Sequence, residues 1–202
     1  MNRERLTLEF FDRHHLDVAR EMIGTHLYWD GVGGMVVETE AYAATDDPAC
    51  HICFRPSARA FFECQSPGIV YAYISYGIHW MLNVLTCDGI VLIRALQPKI
   101  GIRRIQLRRK SRNVTQLCSG PGKIGQALSL GITDHGSSVL TCQRFLLPRE
   151  EQSEPLEIVT DVRVGLSVGL DRPWRFLLKG NAHVSVPHGK AIAKSRTRLR
   201  KI

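Results

Sequence analysis

The sequence predicts a single α+β domain in which a mainly antiparallel sheet is flanked by helices. Apolar, β-branched runs follow one another with only short turns between them, which joins antiparallel neighbours and leaves no room for parallel crossovers. Helical patterns with their own start or stop signals sit before and after those runs. The 202 residues, 44% hydrophobic and 23% charged, suffice for one core, and no repeat or low-complexity linker divides them.

Taken in order, Asp17–Ile23 reads as a short helix stopped by Gly24. Gly33-Gly34 opens a strand over Met35–Tyr42, and a polar, proline-containing loop is expected over Ala43–Gly68. Three strands follow, Ile69–Ser75, Ile78–Leu85 and Ile90–Leu96. Pro98–Arg112 reads as a basic helix, and Pro121–Leu130 as another, with Ser119 available as a cap and Gly131 after it. Short strands over Val162–Val168 and Trp174–Leu178 complete the domain, assigned to residues 1–189, with 190–202 as a basic C-terminal tail.

The net charge of +8 and a pI of about 9.4 point to a polyanionic partner, nucleic acid before an anionic membrane surface. Seven of the fourteen residues Lys99–Arg112 are Lys or Arg, and Lys190–Lys201 carries six more. The plainer reading of these runs is a solvated helix face and a frayed terminus. No apolar h-region follows Met1, and no run is long enough to span a membrane. A cytosolic protein is therefore expected, with reduced thiols. Cys50-His51-Ile52-Cys53 invites a zinc or redox reading, but no second close pair accompanies it. No metal is expected.

Three segments carry candidate chemistry. In Val36–Tyr42, strand alternation puts Glu38, Glu40 and Tyr42 on one face. That face is either an exposed edge or a cleft wall bearing a general base. In Gly68–Trp80, Tyr71 and Tyr73 share a face, and Tyr76-Gly77 falls where a hairpin turn is required. Strand tyrosines are usually packing groups; a tyrosine at the tip of a basic protein's hairpin has the form of a base-unstacking wedge. In Val91–Pro98, Arg94 interrupts an apolar strand and so calls for a carboxylate or phosphate partner. Gly120-Pro121-Gly122-Lys123 is not a phosphate loop, because Ile124 stands where a hydroxyl must ligate magnesium and Leu117 where the leading glycine belongs. Lys123, near a helix start, remains a candidate phosphate contact.

These segments, in this order, resemble the alkyladenine (3-methyladenine) DNA glycosylase family, the purine-specific glycosylases of the human type. The likeness runs from about Leu8 to Val186. It rests on Val37-Glu38-Thr39-Glu40-Ala41-Tyr42, on Tyr71–Trp80 with Asn83, on Leu92–Pro98, and on Leu117–Lys123. The resemblance implies a curved sheet with a protruding DNA-intercalating β-hairpin. It implies that Glu40 is the general base, with Arg94 beside it. Tyr42 and Tyr73 would sandwich a flipped purine, His51 would close the pocket, and Tyr71 would orient His51. Asn83 would exclude guanine, Tyr76 would be the wedge, and Lys123 and Arg59 would contact phosphate. The chain departs from the family after His51: Phe54–Phe62 keeps Arg59 but has Ala60 where an asparagine is usual, in a loop that frames the pocket.

The implied activity is hydrolytic release of alkylated or deaminated purines (3-methyladenine, 7-methylguanine, hypoxanthine) from duplex DNA, leaving an abasic site. No lysine lies near these strands to form a Schiff base, so strand cleavage is not expected. No cofactor is required, and the expected state is a monomer on DNA, nucleoid-associated in a bacterium. The rivals are a non-catalytic binder of damaged nucleic acid, which would not need Glu40, and a basic RNA-binding domain, which would not need Tyr76.

Overall fold

A computed structural model describes residues 4–150 and 155–191. Two helices, α1 (Leu8–Phe11) and α2 (His15–Met22), precede strands β1 (His26–Trp29) and β2 (Val32–Ala43). Helices α3 (His51–Phe54) and α4 (Pro56–Glu63) lead into β3 (Val70–Ser75), β4 (His79–Leu85) and β5 (Gly89–Ile100). Then come α5 (Ile102–Arg109), α6 (Pro121–Leu128), β6 (Arg144–Leu147), β7 (Ile158–Asp161) and β8 (Arg175–Leu178).

The strands form one eight-stranded sheet, antiparallel at every pairing, that curls into a half-barrel. Its main path runs β3-β4-β5-β2-β1-β6, and β8 and β7 branch from β2. The branch has a local cause. Strand β2 is long enough to pair β1 along Val32–Met35 and β8 along Glu38–Glu40 on the same edge, while β5 covers its other edge. Between Val36 and Thr39 the β2–β5 register shifts twice. Val37 is the extra residue on β2 and Arg94 the extra residue on β5, so the register recovers beyond them. Such bulges bend a strand and re-aim side chains. Here they turn Arg94 toward two carboxylates.

The larger core lies between the sheet and helices α2, α5 and α6, around Val18, Met22, Val36, Leu82, Ile93, Ile105 and Ile124. The Thr39 hydroxyl donates to Ala19 O (2.7 Å), fastening α2 to β2. A second buried cluster joins Tyr42, Tyr71, Met81 and Leu92 to Ile52 and Ala58 of α3 and α4. No described helix is long and apolar enough to cross a membrane.

The structure corrects several expected elements. The stretch Ala43–Gly68 is not all loop: Pro56 stands at the first turn of α4, where its missing N–H costs nothing. Strand β5 runs through Pro98 to Ile100, so the basic helix begins only at Ile102. Residues 162–168 form no strand; the strand before them is β7. Strands β1 and β6 were not anticipated. Helix α6 is capped by Gly120, with Ser119 bonded to Lys123 instead. From residue 192 on, the expected basic tail lies outside the described residues.

Candidate active site

Strand β2 is interior to the sheet and buried along its whole length, so its polar face is not an exposed edge. Glu38 and Glu40 are each 0% exposed. Buried carboxylates are tolerated only when paired and hydrogen-bonded, and both are. Arg94 bridges them: Nε donates to Glu38 Oε1 and Nη1 to Glu40 Oε2, each at 3.1 Å.

Their remaining partners differ. Glu38 also accepts from Arg175 Nε (2.7 Å), from the Ser185 hydroxyl (2.8 Å) and from the Ser185 N–H (2.5 Å). Burial alone would raise the Glu38 pKa, but the Arg94 and Arg175 guanidiniums and the Ser185 donors overcome it and hold the group below its ordinary value. Glu40 accepts from the Tyr42 hydroxyl (2.8 Å) and from the Val164 N–H (2.6 Å) besides Arg94. Tyr42 is raised well above its ordinary value by burial and by the Glu40 charge, so it acts as a donor. Burial opposes the charge of Arg94, yet Glu40 and Glu38 more than compensate, and it stays protonated.

A cleft of about 550 Å³ opens over this network. Tyr42, Tyr73, Tyr76, Met81, Leu92, Arg94, Pro121 and the segment Val164–Leu166 line it. Among the described residues the three that donate to Glu40 are all cleft-lining, while Glu40 itself is not on the cleft surface. Behind Tyr42, the Arg163 guanidinium lies 4.5 Å from the ring centroid. Arg163 is fixed by a fully buried bidentate pair with Asp47 (2.6 and 2.8 Å) and by Ala41 O (3.1 Å).

His51 and Tyr71 adjoin the cleft through Tyr73. The His51 ring centroid is 4.3 Å from that of Tyr73, and His51 Nδ1 is 3.1 Å from the Tyr71 hydroxyl. Burial, helped by Arg55, lowers the His51 pKa to about 4, so the imidazole is neutral near pH 7. Burial pushes the Tyr73 phenol up to about 12. Asn83 is buried behind this wall, its Nδ2 donating to Tyr71 O (2.9 Å). Tyr76 sits at the β3–β4 tip, 71% exposed, with φ of 53°, and Gly77 follows with φ of 72°. Two left-handed residues in succession make the tight turn, and only glycine takes that backbone at no cost. Ile74 and Ile78 are exposed beside Tyr76.

Arg59 and Lys123 do not line the cleft. Arg59 donates to Ile52 O and Cys53 O (3.2 and 2.7 Å), closing the end of α3. Lys123 donates to Gln116 Oε1 and Ser119 Oγ (2.6 and 2.9 Å). From the basic helix, Arg108 and Arg109 donate to the main-chain carbonyls of Ala127 and Leu117 and border a groove beside Ile78 and Trp80. Burial drives the Cys50 thiol up to about 12, so it packs as a protonated thiol. Cys53 donates to Ala44 O at 3.2 Å.

Sequence reasoning missed Arg175, Ser185, the Arg163–Asp47 pair and the Val164 N–H. For Arg175 a signal existed: like Arg94, it interrupts an apolar strand, Trp174–Leu178.

The family model of methylpurine-DNA glycosylase matches residues 9–182. Among curated relatives, proteins bearing the name "Putative 3-methyladenine DNA glycosylase" align over most of both chains. That of Rhodopseudomonas palustris strain HaA2 is 45% identical over 187 residues, covering 90% of each chain. That of Nitrobacter winogradskyi is 43% identical, covering 92% of this chain and 89% of its own. That of Agrobacterium fabrum is 44% identical, covering 87% and 90%.

Proposed function

The chain belongs to the methylpurine-DNA glycosylase family, and from that premise we propose that Glu40 activates the water that releases a purine held in the cleft. As a member it is a monofunctional N-glycosylase of the 3-methyladenine type. The finer reading is that it accepts 3-methyladenine, 7-methylguanine and hypoxanthine flipped from duplex DNA, working as a monomer at the nucleoid.

One observation carries the assignment of the base. An ionised carboxylate has about four lone-pair sites. Among the described residues Glu40 accepts three donors, from Tyr42, Arg94 and Val164, which leaves one site for a water. That water attacks C1′ while the bond to the purine nitrogen breaks, its electron pair leaving with the base. Glu40 takes the proton, and its charge stabilises the oxocarbenium character that develops at C1′. A base alkylated to a cation leaves as a neutral purine, whereas hypoxanthine must be protonated to leave well. Among the described residues no lysine lines the cleft, in keeping with hydrolysis alone.

Tyr42 and Tyr73 are the stacking faces in this reading, and the neutral His51 ring closes the wall behind Tyr73. Asn83 discriminates against guanine from behind Tyr71. Tyr76 fills the place the flipped nucleotide leaves, and stacking of about 1–3 kcal/mol per base offsets part of the cost of flipping. Lys123 and Arg59 reach phosphate by exchanging their present contacts.

The test is release of hypoxanthine or 3-methyladenine from lesion-bearing duplex oligonucleotides by the wild type and by Glu40→Gln. Release by the wild type, with loss in a variant that still binds the duplex, is expected. Binding of lesion duplex without release by either protein would replace the enzyme with a damage-binding module.

A further inference from the structure

Away from the cleft, the start of α2 meets the β4–β5 turn in a cluster that the glycosylase chemistry does not use. We propose that His14, His15 and Asp88 bind a divalent transition-metal ion, zinc foremost, which clamps α2 to that turn.

The ligand atoms already stand close to a coordination sphere. His14 Nε2 lies 3.3 Å and His15 Nδ1 3.0 Å from the same oxygen, Asp88 Oδ2. All three atoms fall within 4.8 Å of one another. Zinc bonds of about 2.0–2.2 Å to imidazole and carboxylate give tetrahedral ligand-to-ligand edges of about 3.4 Å. Two edges are therefore near the required length. The third closes by rotation of the exposed His14 ring, since His15 is only 4% exposed and held in place.

Asp88 is aimed. Its Oδ1 accepts the His15 N–H at 2.8 Å, which fixes the carboxylate and leaves Oδ2 facing both rings. Hydrogen bonds of this kind orient the ligands of metal sites. Neither nitrogen of the buried His15 ring makes a directed hydrogen bond, although Nδ1 is so near the carboxylate. A metal ion would satisfy that nitrogen. Gly89 allows the approach: a Cβ there would stand 2.2 Å from Tyr42 O and 3.2 Å from the His15 Cβ. On metal binding, His14 moves its proton to Nδ1 and gives up a long contact from Leu16 N (3.4 Å).

Two nitrogens and one oxygen select a borderline ion and disfavour magnesium and calcium, which want oxygen alone. The fourth position falls to water. The edge of the Trp174 ring packs on His15, with ring centroids 5.3 Å apart, and so provides an optical reporter.

The experiment takes the chelator-treated full-length protein and titrates it with zinc, then with cobalt. Zinc is expected to bind at one ion per chain, to raise Tm with its concentration, and to bind at least about 10–100-fold more weakly to His14→Ala. Cobalt should quench Trp174 in the wild type, and the quenching should vanish in His14→Ala and in Trp174→Phe. His14 is exposed and outside the cleft, so its variant should fold and release purines at the wild-type rate. Undiminished zinc binding by His14→Ala would overturn the site, since the ion would then sit on cysteines; so would the absence of zinc binding by the wild type. Loss of binding in Cys50→Ser with Cys53→Ser, and not in His14→Ala, would overturn it in the same way.

Discussion

Glu38 and Glu40 stand two residues apart on the same face of β2, equally buried and bridged by the same arginine, and the surrounding chain treats them differently. Among the described residues Glu38 accepts four donors, from Arg94, Arg175 and the Ser185 hydroxyl on Oε1 and from the Ser185 N–H on Oε2, and two of them are guanidiniums. Glu40 accepts three among the described residues, and two of them are neutral. A carboxylate held between two buried guanidiniums is a structural anchor. One paired with a single guanidinium, with a site to spare and donors that line a cleft, is placed to hold a water. Burial alone does not tell them apart; the kind and the place of their donors do.

The sharpest break of this comparison is to neutralise each carboxylate in turn. Glu40→Gln should slow purine release by about 10²–10⁴-fold, the range for a general base, with a smaller loss of stability than at Glu38, since Glu40 pairs with one guanidinium and not two. Glu38→Gln should do the reverse, destabilising the fold by about 3–5 kcal/mol because Arg94 and Arg175 are left buried with too little negative charge. Its release rate per folded molecule should stay within a few-fold of wild type. Denaturant unfolding alongside single-turnover release measures both. If the stability loss falls on Glu40 and the rate loss on Glu38, their roles are exchanged.

A smaller effect is expected one layer out, at the donor that most separates the two sites. Val164 N–H reaches Glu40 only because Arg163, the residue before it, is fixed to Asp47 and Ala41 O. Arg163→Lys keeps the charge but loses the two-pronged grip. If the Val164 bond slackens, a hydrogen bond to a charged group is lost, about 1.5–3 kcal/mol. The turnover rate at saturating lesion DNA should fall by about 10–100-fold, with KM changed much less. A shift confined to KM would make Arg163 a packing group behind Tyr42 and nothing more.

How much of this was legible before the structure follows the same division. The β2 face, Arg94 on its strand and the hairpin tip at Tyr76-Gly77 all follow from alternation and turn chemistry, which act over a few residues. The anchoring of Glu38 depends on Arg175 and Ser185, more than 130 residues away in sequence. No local period links them. The Val164 contribution is a main-chain N–H, which side-chain identity does not announce. Strands β1 and β6 have only four residues each, too short for periodicity to show. Pro98 reads as a helix start in the sequence, whereas in the fold it lies within β5, opposite Gly34, two residues before the strand ends.

At the tip, exposure gives a cleaner separation of stability from function. Tyr76→Ala removes a ring that is 71% exposed, so Tm should hold. Affinity for a lesion duplex should fall by the worth of one stacked base, about 1–3 kcal/mol. Equal affinity in the two proteins would deny Tyr76 a wedge role and leave Glu40 untouched.

The smallest effect is on the acid side of the stability curve, where Glu38 and His51 act in different windows. The His51 pKa is lowered from 6.5 to about 4 in the fold, by burial first and Arg55 second. Between those values the unfolded chain binds a proton that the folded chain does not, so stability falls as pH drops from 6.5 toward 4. His15, His135 and His183 are lowered by burial too and add to the same limb. Glu38 is lowered from 4.5 by its guanidinium partners against the pull of burial. Its stabilisation is present above 4.5 and is lost as pH falls through the lower folded value. His51→Gln should therefore reduce proton uptake on unfolding by up to one proton, and only between pH 6.5 and about 4. Glu38→Gln should lower the curve throughout and change its slope only below pH 4.5. Because His51 stays neutral through that upper window, release at pH 5.5 should not fail through its protonation. If His51→Gln leaves the limb between pH 6.5 and 4 unchanged, the imidazole is not held neutral by the fold.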